Sequence, residues 1–299
     1  MEFIKMMAGY LFTNVRYIAT IIILILLLSL SNAKSFILTE QHRAWSYWDN
    51  RDDSSIKVID HSKWQQVLNM YLFVQQDTTL FNYDAIIADN NQHLVQEYIE
   101  KLAQENPIKL NSYEQLAYWI NLYNALIVNT ILSKYPVDSI LDIKPHLSFS
   151  NWGTLFSFFR YGPWNNKLVI INDIELSLND ITHRILFPIW GDRRVQYCLC
   201  SGSIGSPDLY PVVFTAIDMP KLLNSVANRF IQQEKTMQWI DGKLVLSRLL
   251  KNSNYFSDKN DLLSHLRKYT NLSNKSKIDK FHGSISYQFD WRLNKLSNK

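Results

Sequence analysis

The first apolar feature of the chain is a thirteen-residue run, Ile18 to Leu30 (IATIIILILLLSL), preceded by Lys5 and Arg16 and followed by Ser31-Asn32-Ala33. A basic flank, a short apolar stretch and then small residues are the layout of a secretory signal, with cleavage expected after Ala33. At about 1.5 Å per residue the run falls short of a hydrocarbon core of about 30 Å, so an uncleaved anchor over residues 17–30 would need help from its flanks. The pattern therefore predicts an exported protein, periplasmic or extracellular, with membrane anchoring through this segment as the alternative. Residues 34–60 are largely polar, with the aromatic cluster Trp45, Tyr47 and Trp48, and read as a lead-in, and residues 61–296 read as one domain.

Helical periodicity dominates the first half of that domain. After the cap candidate Ser62, apolar residues recur three and four apart at Val67, Leu68, Tyr71, Leu72 and Val74; Leu94, Tyr98, Ile99 and Leu102 repeat the pattern before Pro107. The strongest helix follows. Ser112 and Gln115 form a capping-box pattern, and Leu116, Trp119, Ile120, Tyr123, Leu126, Ile127 and Ile131 carry the apolar face toward Tyr135-Pro136. From Pro136 to Pro163 the periodicity breaks into an aromatic-rich loop with room for one short helix.

Strands enter in the second half. Leu168–Ile171 and Ile174–Leu176 flank the turn dipeptide Asn172-Asp173, and Ser177-Leu-Asn-Asp180 caps a helix through Leu186. Val195–Cys200 reads as a strand. Asp218 opens a helix with Pro220 in its first turn, running through Ile231. Trp239-Ile240 and Leu244–Leu246 face each other across Asp241-Gly242, a strong hairpin signal, and a last helix covers Asp261–Tyr269. Helices followed by a mixed half with β-hairpins, without βαβ alternation, give an α+β fold.

Composition narrows the function classes. Of 299 residues 47% are hydrophobic, ample for a packed core. The 31 basic and 27 acidic residues are too balanced for a polyanion binder, so nucleic acid is not an expected partner. The two cysteines, Cys198 and Cys200, are too close for an unstrained disulfide and too few for a zinc site, and are expected to be buried free thiols. No metal-ligand spacing occurs, and Gly202 and Gly205 lack the Lys-Ser/Thr ending of a phosphate loop, so no metal and no cofactor is predicted.

Three places could carry chemistry. Asn121 and Asn124 share a face of the long helix, where buried amides orient a substrate or tie a loop to the core. His183 follows Asn179-Asp180 at the start of a helix and could serve as a base or as a structural histidine. Ser201-Gly-Ser-Ile-Gly-Ser-Pro207 is a turn of small residues, where Ser203 or Ser201 could act as nucleophile with His183. Trp119, Asn121, Asn124 and Gln196 are the candidate substrate-binding residues.

Gln115-Leu-Ala-Tyr-Trp-Ile-Asn-Leu-Tyr-Asn124, Tyr135-Pro-Val-Asp-Ser-Ile140, Leu176-Ser-Leu-Asn-Asp-Ile181, Ser201–Pro207 and Phe289-Asp-Trp-Arg-Leu-Asn294, in this order, resemble the domain of unknown function family numbered 547. The resemblance runs from about Trp64 to Asn294 and implies a single domain, often exported in bacteria, without an assigned activity. It also implies departures: bacterial relatives usually carry Glu at the position of Thr182, His at that of Gln196, and Cys at those of Ser201 and Ser206, while other members share the Cys-Ser-Gly-Ser of Cys200–Ser203 and keep the His. A His–Cys pair would suit thiol chemistry, whereas Gln196 takes no proton near neutral pH and an unassisted Ser201 is a poor nucleophile. Two cysteines at 201 and 206 could equally have formed a disulfide. Two readings follow: a binding or scaffold protein with a degenerate site, its partner an undefined small molecule or protein, or a serine-dependent hydrolase or acyl-transferase.

Overall fold

The computed structural model describes residues 45–144, 162–251 and 255–296. The signal segment, lead-in residues 34–44 and most of the aromatic-rich loop lie outside the described residues. The unit that begins at Trp45 is α+β.

At its centre lies a helix of 21 residues, Ser112–Leu132, of which eighteen are buried. A helix apolar on every side belongs inside the core, and here three others build around it: α1 (Ser62–Tyr71), α2 (Tyr83–Ala88) and α3 (Gln92–Ala103), with the long helix as α4. The capping signal of α4 sits one residue earlier than the sequence pattern suggests. Asn111 accepts the Glu114 N–H at 3.0 Å and donates its own amide to Ser55 O, while Gln115, the expected partner of Ser112, donates to Trp48 O and Asn50 O at 3.1 Å each. Through those bonds the lead-in becomes core: Trp48 is fully buried and its ring meets Trp119 edge-on at 5.1 Å.

The expected extension of α1 through Leu72 and Val74 is overturned. The helix stops at Tyr71, whose carbonyl accepts the Asn82 N–H at 2.8 Å. Leu72–Gln75 is instead strand β1, paired antiparallel with β2, Thr78–Phe81. Two β-branched threonines and a turn with Gln76 at φ 49° favour the hairpin, and Thr79 Oγ1 fastens it by donating to Leu209 O at 2.7 Å.

The hairpin of β3 (Lys167–Ile171) and β4 (Ile174–Ser177) is as expected, with Asn172 and Asp173 at φ 47° and 62°, the left-handed values a tight hairpin turn requires. The cap at Ser177 also forms. Asp180 N–H donates to Ser177 Oγ at 3.1 Å while Ser177 N–H donates to the Asp180 carboxylate at 2.9 Å. The helix beyond it is π-wound over Asp180–Leu186 and ends in α5, Phe187–Trp190.

The strand expected at Val195–Cys200 is a 3-10 helix, Arg193–Cys198. Asp192 decides this by accepting the Arg194 N–H on its side chain at 2.8 Å and the Val195 N–H on its carbonyl at 3.1 Å. A short, wholly buried apolar run looks the same in sequence whichever way it winds.

Helix α6 (Met219–Gln232) leads to a three-stranded sheet in the order β5 (Met237–Ile240), β6 (Lys243–Ser247), β7 (Ile285–Gln288). Strands β5 and β6 form the expected hairpin, and β7, absent from the sequence pattern, pairs parallel to β6. Between them come α7 (Lys259–Tyr269) and α8 (Leu272–Asp279). The latter has Leu272 exposed and Ile278 as its one buried residue, too little for an apolar stripe to register. Among the described residues no helix is long and apolar enough to cross a membrane.

Candidate functional site

The serine-rich loop is laid along α4 by two amides. Asn124 donates to Cys198 O and accepts the Cys200 N–H, both at 2.9 Å, gripping the backbone on either side of Leu199. One turn earlier, Asn121 treats Phe214 the same way, donating to its carbonyl at 2.8 Å and accepting its N–H at 3.1 Å. Both side chains are buried, so the bonds available to a substrate are spent on main chain. Gly202, at φ +78°, lets the backbone run against the helix: a Cβ there would stand 2.6 Å from Ile131 Cδ1.

From above, the C-terminal segment closes the loop. Ile204 and Gly205 N–H donate to Arg292 O and Asp290 O, and Asn294 N–H donates to Gly202 O, each at 2.8 Å. Ser203 and Leu293 form an antiparallel bridge. A Cβ on Gly205 would come within 2.7 Å of Asp290 N, so the two strands touch at backbone distance.

Between these walls the three serines bond to their surroundings. Ser201 Oγ donates to Ser203 Oγ at 3.2 Å; Ser206 Oγ accepts the Ser201 N–H at 3.2 Å and donates to Ser203 O at 2.8 Å. Ser203 is 0% exposed and Ser206 1%. Beyond Pro207 the Asp208 side chain, 3% exposed, collects the amides of Gln233 at 2.8 Å and Asn294 at 3.1 Å, the Thr79 N–H at 3.3 Å and an ion pair with Lys235. Lys235 Nζ also donates to Ser206 O at 2.8 Å. The sequence reading passed over Asp208, Lys235 and Gln233; the available signal was an acid directly after the loop and the Asn294 that closes the last motif.

Cys198 and Cys200 are buried free thiols, as the composition suggested. Burial raises both, the Cys200 thiol to about 11, with the neighbouring Asp208 charge adding to the effect. A thiol held that high is protonated and unreactive near neutral pH.

The remaining candidates stand elsewhere. His183 lies in the π-wound segment with its ring edge-on to Phe187 at 5.5 Å. Gln196 is buried in the 3-10 helix and Trp119 fully buried in the core, and among the described residues neither the Gln196 Nε2 nor the Trp119 indole N–H has a hydrogen-bond partner. Thr182 Oγ1 donates back to Leu178 O at 2.9 Å. The structure thus gathers Asn124, Ser201 and Ser203, with Cys200, Ser206 and Asp208, around one loop; it sets Asn121, on α4, against the next loop at Phe214 and Trp119 in the core. Among the described residues no group of three His, Cys, Asp or Glu side chains could hold a metal ion.

No curated protein and no solved structure matches the chain. A family model described as "Protein of unknown function, DUF547" matches residues 107–231, the span from the approach to α4 through the serine loop to the end of α6. The match is narrower than the run of motifs, leaving out Thr79, Gln233, Lys235 and Asn294, the four residues that hold Asp208. Over residues 107–231 the chain is similar to the DUF547 family, and that match supports the resemblance its motifs carry.

Proposed function

We propose that the protein is an exported binding or scaffold protein in which the serine loop is an architectural element. The observation that carries this reading is the burial of Ser203, which lies between α4 and the C-terminal segment with its hydroxyl bonded to Ser201. A nucleophile needs a base within hydrogen-bond reach and a path for substrate. Ser203 has a serine hydroxyl as its hydrogen-bond partner, and the Asn121 and Asn124 amides, which could have stabilised an oxyanion, are bonded to main chain. Export rests on the basic flank, the apolar run Ile18–Leu30 and the Ser31-Asn32-Ala33 ending.

Two measurements test it. A fluorophosphonate probe and a panel of ester and thioester substrates applied to purified protein should read background, and a turnover abolished by Ser203→Ala would overturn the binding reading in favour of the hydrolase. N-terminal sequencing of the exported protein should begin at Lys34; retention of the whole protein with the membrane would replace secretion by anchoring through residues 17–30.

A further inference from the structure

Strand β7 is the outer strand of its sheet. One edge pairs with β6, and among the described residues no strand pairs with the other. Its side chains alternate, with Ile285 and Tyr287 half-buried and Ser286 and Gln288 exposed. Ile285 and Tyr287 line a groove of about 270 Å³ together with the buried apolar side chains of Leu250, Phe256 and Leu262. That volume suits one or two aliphatic side chains.

The rim is cationic. Lys251 stands 5.7 Å from the Tyr287 ring centre and Lys259 4.8 Å from that of Phe281, with Lys259 Nζ also donating to Gly283 O at 2.5 Å. Among the described residues neither lysine has a carboxylate partner, whereas Lys57, Lys63, Lys101, Arg193 and Arg267 each have one. The one acid lining the groove, Asp258, caps α7 by accepting the Asp261 N–H at 2.9 Å. An unpaired strand edge, an apolar slot beside it and two positive charges without counter-charges are complementary to an extended segment with carboxylates flanking an apolar side chain.

We propose that this groove binds an extended acidic segment of a partner protein, which adds to the free edge of β7 as a fourth strand. An apolar side chain of the partner enters the slot over Leu250, Phe256 and Leu262. Residues two positions before and after it share its face, roughly 7 Å away along the strand, and their carboxylates meet Lys251 and Lys259. The inference rests on the reading of the chain as a binding protein and gives that reading a partner chemistry.

The test uses a fluorescein-labelled nine-residue peptide with a central valine, glutamates two positions to either side and threonines elsewhere. Two controls accompany it: one with glutamine for glutamate, and one with alternate backbone amides N-methylated. By fluorescence anisotropy on the purified chain, the glutamate peptide should bind at least tenfold more tightly than the glutamine peptide, and the N-methylated version should not bind. Hydrogen exchange should slow at Ile285–Gln288 on binding. The double variant Lys251→Glu, Lys259→Glu should lose the glutamate peptide and prefer one with lysines in its place. Absence of binding, equal binding of the glutamate and glutamine peptides, or unchanged exchange in β7 would overturn the proposal and mean that the lysines only guard the edge against pairing. Either result is independent of the ester panel: background turnover without peptide binding removes the groove alone, and Ser203-dependent turnover removes the inactive-site reading while leaving peptide binding to be judged on its own data.

Discussion

Asn294 donates its side-chain amide to the Asp208 carboxylate at 3.1 Å and to Thr79 O at 3.0 Å, joining the end of the chain to the serine loop and to the first hairpin in one residue. With Gln233 and Lys235 on the same carboxylate, Asp208 is where four separate stretches of sequence meet. Removing one member of a buried charge pair costs about 3 kcal/mol, since the other is left uncompensated. Asp208→Asn should therefore lower the stability measured by urea unfolding by about that much, and Asn294→Ala by about 1–2 kcal/mol. Loss of either should also speed hydrogen exchange at Ile204 and Gly205, which donate to the C-terminal segment. A urea midpoint unchanged by Asp208→Asn would mean that the knot carries no weight.

The two asparagines of α4 make a sharper distinction between structural and ligand roles. Asn124→Asp keeps the acceptor for the Cys200 N–H and loses the donor to Cys198 O; Asn124→Ala loses both. A buried backbone group left unpaired costs about 1–3 kcal/mol, so both variants should be less stable than the wild type, and near neutral pH Asp, which buries a carboxylate against the Cys198 carbonyl, should be the less stable of the two. Asn121→Ala should cost a similar amount through Phe214. Unaltered stability in both alanine variants would return the amides to a ligand role.

Ser206 Oγ lies 3.2 Å from Ser201 N, which sets the side chain at 206 against residue 201 across the loop. The double variant Ser201→Cys, Ser206→Cys should close a disulfide under mild oxidation, seen by mass spectrometry as the loss of two hydrogens, with Cys198 and Cys200 remaining free. Chain-entropy arguments for so short a loop give about 2 kcal/mol of stabilisation. Four free thiols after oxidation of the folded protein would show that positions 201 and 206 are not disposed for bonding, and would remove the disulfide explanation for cysteines at these places in the family.

What the sequence disclosed follows from how local each cause is. The hairpin turns at Asn172-Asp173 and Asp241-Gly242 were legible because the positive φ values are carried by the residues in the turn. Helix α4 was legible through its long apolar run, but its cap was misplaced by one residue because Asn111 and Ser112 are both good caps and the choice depends on Ser55. Strand β1 hid inside a helical period, and the 3-10 helix Arg193–Cys198 imitated a strand, since in short apolar runs the winding is set by a cap such as Asp192 rather than by periodicity. For the site, the loop and the two amides could be found, yet their partners could not. Asn124 finds the backbone around Leu199, and Asp208 finds Thr79 and Asn294, contacts that exist only once the chain has folded.

One buried and one half-buried histidine set the expected pH response. His61 has Nδ1 2.6 Å from Tyr98 OH, and His265 has Nε2 2.9 Å from Tyr197 OH. Burial lowers both to about 4, and for His265 the Arg193 charge adds to it. An unfolded histidine takes its proton near pH 6.5, so between about 6.5 and 4 the unfolded chain binds protons that the folded chain refuses. Folding stability is then full above pH 6.5 and falls as the pH drops toward 4, by at most about 1.4 kcal/mol per pH unit for each histidine and by less for the more exposed His265. Asp261 works in a lower window: held at about 2 by the Arg193 hydrogen bond, its contribution is lost only as the pH falls from the ordinary carboxylate value toward 2. Urea midpoints at pH 7, 6 and 5 should fall steadily for the wild type. In the double variant His61→Gln, His265→Gln, which keeps a hydrogen-bonding group beside each tyrosine but cannot titrate, the decline should flatten. An equally steep decline in the double variant would place the acid sensitivity on other groups.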